Sequence, residues 1–141
     1  MSNRFVSIAG AIQVQDYETF GPNEHASGNF SKVLFVGDTQ PQAFATVPPP
    51  KICAGGEIWP AFDLTVSRVN TAGDINISID GKLYEGTSCD TTDLDGSNNT
   101  TFTVQAGTTI SQNFTMWNTD EGNSDDKANI TLTVSNNPAP F

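Results

Sequence analysis

The side chains with the clearest chemical capacity are carboxylates, and they collect in two loops. In the segment from Asp90 to Asn98, Asp93, Asp95 and Gly96 stand in an order suited to a cation, because alternating oxygen ligands followed by glycine let a chain wrap calcium. Asp90, Asp93 and Asp95 are therefore candidate calcium ligands. The pattern is incomplete: Thr91 stands where an EF-hand loop begins with aspartate, and Phe102 occupies the position of its closing glutamate. A solvated turn is the competing reading. A second segment, Asn118 to Lys127, carries Asp120, Glu121, Asp125 and Asp126, whose irregular spacing supports no more than a weak surface cation at a hairpin tip.

Sugar binding would need aromatic faces, and Trp59, Trp117 and Tyr84 are the candidates. Trp117 has the opposite parity to Ile110, Phe114 and Met116, so it is expected to face outward; either tryptophan could instead fill a core or an interface. His25, the one histidine, has only Glu24 as a chemical neighbour in sequence and reads as a surface loop residue rather than a general base. The chain has no phosphate-cradling glycine loop, nucleophile elbow, CxxC pair or two-histidine zinc motif. Paired carboxylates alone do not make a glycosidase without a cleft to hold them at a defined separation. The expectation is a non-enzymatic protein with no catalytic residue and no cofactor, calcium being the one ion its residues could hold.

With 141 residues the chain suits one domain with a proper core. Its net charge of −10, with six basic residues, repels polyanions, so neither nucleic acid nor an anionic membrane is expected as a partner. No apolar run reaches the ~18 residues of a membrane-spanning helix. Met1 to Gly10 has one basic residue and too short an apolar stretch for a secretory signal, which favours a product made in the cytoplasm. Cys53 and Cys89 allow at most one bridge, which would contribute on the order of 3–4 kcal/mol; two reduced thiols are the alternative.

The elements that must position these groups are strands. Phe62, Leu64 and Val66 alternate with polar residues, as do Ile75, Ile77 and Ile79, and a period of two puts each apolar set on one face. Asp80-Gly81 has the composition of a tight turn, predicting that Lys82 to Glu85 returns as a hairpin partner. Phe102 and Val104, then Ile110, Phe114 and Met116, then Ala128, Ile130, Leu132 and Val134 supply further strands, with Gln112 near an edge or hydrogen-bonded inside. Upstream, Phe5 to Val14 reads as a first strand or an extended arm, residues 18–31 as a loop, and Val33 to Val36 as a strand covered on both faces. Ala43 to Val47 ends at Pro48-Pro49-Pro50, where regular pairing must stop. The Asn-X-Ser/Thr triplets at Asn29, Asn76, Asn98, Asn99, Asn113 and Asn129 read as β-surface composition rather than glycan sites.

These features predict an all-β chain, an immunoglobulin-like or jelly-roll-like β-sandwich over residues 51–141 with an N-terminal β-rich arm or extension over residues 1–50, or one continuous domain. The runs Phe62 to Gly73, Phe102 to Thr108 and Ala128 to Val134 resemble the immunoglobulin-like modules called CARDB, or fibronectin-like, domains. The resemblance implies a sandwich used for adhesion, display or spacing. The leading expectation is a bacteriophage virion accessory protein, a capsid decoration, cement or tail-associated protein, acting as a homo-oligomer or bound to a viral capsid or tail protein and located in the virion. The alternative is an extracellular carbohydrate-binding or adhesive module that uses Trp59, Trp117 and Tyr84, with or without calcium.

Overall fold

The computed structural model describes residues 3–119 and 126–140. Eight strands account for the regular structure of these residues: β1 (Arg4–Asp16), β2 (Glu24–Val36), β3 (Gln42–Val47), β4 (Ile58–Arg68), β5 (Ile75–Glu85), β6 (Leu94–Val104), β7 (Thr109–Trp117) and β8 (Lys127–Pro138). They form two antiparallel four-stranded sheets, ordered β2-β1-β8-β7 and β3-β4-β5-β6. The strict alternation of residue types explains the packing. Val6, Ile8, Ile12 and Val14 of β1, Ile75, Ile77 and Ile79 of β5, and Ile130, Leu132 and Val134 of β8 all point between the sheets and share one core.

The expected β-sandwich is therefore present, and its connections refine the expectation. Consecutive strands are neighbours wherever they share a sheet, and the chain crosses between sheets only at β2–β3 and β6–β7. That is a meander closed by β1 pairing with β8, not the Greek key of immunoglobulin or jelly-roll modules.

Four local expectations change. Residues 1–50 are not a separate arm: β1 lies between β2 and β8, β3 joins the other sheet, and their apolar residues belong to the common core. Residues 24–31 are strand rather than loop, because Glu24 to Ser31 pair residue by residue with β1. The Val33–Val36 run is covered on one face only; β2 is an edge strand, and Val33 and Phe35 are exposed on its outer side.

Asp80-Gly81 is not a turn. β5 runs through it, with Gly81 opposite Phe62 on one side and Asn98 on the other. The glycine is there for space: a β carbon at Gly81 would sit 2.5 Å from the Met116 sulfur and 2.7 Å from a ring carbon of Phe114, both reaching across from the opposite sheet. The proline triplet does end regular pairing, since β3 stops at Val47. Gln112 lies on edge strand β7, partly exposed. On the outer faces the polar positions pair across strands, as in Thr103 Oγ1 to Asn76 Oδ1 (2.6 Å) and Asn129 Nδ2 to Thr115 Oγ1 (2.7 Å).

Candidate functional site

The antiparallel order gives the sandwich two chemically different ends. At one end the inward register closes on a neutral and basic pair: Asn136 Oδ1 accepts from Arg4 Nε (2.9 Å), while Asn136 Nδ2 donates to the carbonyls of Gly73 (2.8 Å) and Val104 (3.0 Å). The two Nδ2 bonds run from β8 across the core, to the β4–β5 connection and to the end of β6. Nearby, Asp74 is held below the ordinary carboxylate range, chiefly by Asn70 and then by the Ala106 N–H.

At the other end the same inward register closes on carboxylates. Asp16 follows Val14 with the same parity, Glu85 follows Leu83, and Asp126 precedes Ala128, so each is the next core position of its strand. Asn118 continues β7 beyond Met116 in the same way and is buried. Oxygens of Asp16, Glu85 and Asp126 lie within 4.8 Å of one another, and so do those of Asp16, Glu18 and Glu24. Asp16 belongs to both groups.

Their hydrogen bonding is uneven. The backbone N–H of Tyr17 donates to Asp126 Oδ1 at 2.6 Å, and Asn118 Nδ2 donates a short bond to Glu85 Oε2. Asp16 is only 2% exposed, and its Oδ2 is buried with no hydrogen-bond partner. That oxygen and Glu24 Oε2 both face the α carbon of Gly55, where φ is +61° and any side chain would overlap them. Burial first, and then the neighbouring charges of Asp126, Glu57, Glu18 and Glu24, push the Asp16 carboxyl up to about 7.

The expected calcium loop is built differently. Asp90 and Asp93 are exposed, Asp95 is buried at the start of β6, and none of the three belongs to either carboxylate group among the described residues. Instead the loop folds over the outer face of β4 and β5: the Thr91 carbonyl accepts from Trp59 Nε1 at 3.0 Å, and Thr91 Oγ1 donates to the Glu85 carbonyl at 3.2 Å. A disulfide between Cys53 and Cys89 straps this layer down, with the α carbons 6.0 Å apart. Of the second acidic segment, Asp120, Glu121 and Asp125 lie outside the described residues, while Asp126 joins Asp16. Strand parity was the signal that could have found Asp16, because the alternation Ile12, Val14 carried one step further lands on it.

The three aromatics do not form one platform. Trp59 stacks on Tyr84 at 4.7 Å between ring centres, is 9% exposed, and has the Lys51 ammonium 4.1 Å from its ring centre. Trp117 stands on the other sheet, 46% exposed, with Lys127 4.9 Å from its ring centre. It borders a shallow groove of about 350 Å³ on the outer face of β2-β1-β8-β7, shared with Gln13, Gln15, His25 and Asn129. His25 therefore sits exposed on a strand rather than in a loop.

No family model matches the chain, and no curated protein does. Among solved structures it is similar to a chain of the Salmonella SPI-1 type III secretion injectisome secretin InvG, residues 176 to the end, in the open gate state. The identity is 12% and the TM-score 0.38; the match takes in 99% of this chain and 60% of the secretin chain. At that level the similarity bears on neither family nor function.

Proposed function

We propose that this protein is a non-enzymatic structural protein that assembles through its sheet edges, most specifically a virion accessory protein of the decoration, cement or tail-associated kind. The observation that carries this reading is the placement of the exposed large apolar side chains. Among the described residues, those on strands are Val33 and Phe35 of β2, Phe44 of β3, Leu94 of β6 and Trp117 of β7, and these are the four edge strands. Monomeric sandwiches protect such edges with charge, proline or bulges, because unpaired strand backbone beside apolar side chains invites another chain. Here Phe44, 66% exposed, faces solvent midway along β3. Contact with a further copy or a protein lattice would cover it by strand addition or face packing. The virion setting rests on the resemblance to sandwich modules of such proteins, which is an argument from analogy.

Native mass measured across a range of concentrations tests the assembly. A discrete oligomer that dissociates in F44K or in V33K is the expected result. A monomer at every concentration, or an oligomer indifferent to both substitutions, overturns it.

A second reading, a carbohydrate-binding module, is favoured by one specific feature, the groove that places Trp117 beside Gln13, Gln15 and Asn129. An aromatic face flanked by amides suits a sugar ring. Because Trp59 is covered, a change in tryptophan fluorescence on adding polysaccharide, lost in W117A, would support this reading. The absence of any response would eliminate it.

A further inference from the structure

The acidic end of the sandwich is built as a ligand site rather than as solvated surface. Three of its carboxylates, on Asp16, Glu85 and Asp126, occupy core register positions, where a strand normally places an apolar side chain. A buried ionised carboxylate without a donor carries a large desolvation cost, and Asp16 Oδ2 is in that situation with further carboxylates on both sides. The orphaned oxygen faces Glu24 across Gly55, a residue whose lack of a side chain keeps that space clear. Glu24 is exposed and Glu18 half-buried, so this side of Asp16 opens to solvent, while Glu85 and Asp126 hold its inner side.

We propose that this end binds a calcium ion, ligated by Asp16, Glu18 and Glu24, with Glu85 and Asp126 completing the negative field behind Asp16. The donors are all oxygen, with no histidine or free thiol among them, which selects a hard cation over zinc or copper. They come from a strand end, the turn after it and the next strand, an irregular set that suits the variable coordination of calcium better than the strict octahedron of magnesium. The ion would join β1 to β2 at the carboxylate end, and its inner side would draw in residues from β5 and from the segment leading into β8. This site is independent of the edge-assembly reading and stands or falls separately.

The test is calorimetric titration of the full chain, first stripped with chelator, using calcium chloride and magnesium chloride up to about 1 mM, the range of extracellular calcium modules. Thermal unfolding is followed in parallel. Saturable calcium binding with a rise in melting temperature is expected, weakened by about tenfold or more in D16N and in E24Q and unchanged in D93N. E24Q, at an exposed position, guards against a folding defect in D16N. Absence of calcium binding overturns the proposal, as does binding that survives both D16N and E24Q or that is abolished by D93N.

Discussion

Replacing Asp16 by Asn should make the metal-free protein more stable, although it alters a side chain that is only 2% exposed. The carboxyl titrates near 7 in the fold and at about 3.8 when unperturbed, so the folded state holds its proton more tightly than the unfolded chain does. Folding then takes up a proton in that window, and stability falls as pH rises through it, the cost being complete above about pH 7. The difference corresponds to roughly 4 kcal/mol at about pH 8, reduced to about half of that by solvent screening on the Glu24 side. At about pH 4 it shrinks to below about 1 kcal/mol, because the unfolded chain begins to take up the same proton. Asn keeps the shape, removes the charge and supplies a donor to the surrounding carboxylates. Urea unfolding of both proteins in chelator should therefore show D16N more stable by about 2–4 kcal/mol near pH 8, with the two curves converging in acid. A D16N protein less stable than the wild type near pH 8, or a difference that does not change with pH, would refute the reasoning. Added calcium should reverse the order, because only the wild type retains its ligand.

Three further outcomes follow from the packing. N136A removes the side-chain acceptor of the buried Arg4 Nε, leaving Arg4 only the Asn136 backbone carbonyl, and strips the Gly73 and Val104 carbonyls of their donor, so it should cost about 3 kcal/mol in urea unfolding. G81V drives a side chain into Met116 and Phe114 and should lower stability by about 2–3 kcal/mol, read as a drop in melting temperature, with G81A milder. Reduction of Cys53–Cys89, which are 36 residues apart, should cost about 3–4 kcal/mol and shift Trp59 emission to the red as its cover loosens.

Strand content was legible because alternation is a local property: Ile75, Ile77 and Ile79 mark a face whatever lies across from them. Gly81 was misread for the opposite reason. Asp-Gly is a local turn signal, but the glycine answers to Phe114 and Met116, more than thirty residues away in sequence and in the other sheet. The same limit hid the acidic end. Asp90, Asp93 and Asp95 are close in sequence yet point to different surroundings, whereas Asp16, Glu85 and Asp126 are far apart in the chain and meet because three strands end at the same level. Trp59 and Trp117 looked alike in sequence, and only the disulfide-bound layer over β4 and β5 distinguishes the covered ring from the exposed one. The Pro48–Pro50 break falls in the connection between two paired strands of one sheet, β3 and β4, rather than at a domain border, because the core passes on both sides of it.

The pairing of β1 with β8 sets an order on how this molecule can be made. Residues 4–15 find half of their backbone partners in residues 127–138, so a ribosome must have made residues 127–138 before β1 can be seated between its neighbours. The β3-to-β6 meander, in contrast, pairs only adjacent strands and can form as it emerges. Until β8 arrives, the β1–β2 hairpin exposes Val6, Ile8, Ile12 and Val14 beside an open edge, and closing such a distant contact is slow. Newborn copies would pass through a sticky interval, in which a neighbouring chain's last strand could take the place of their own.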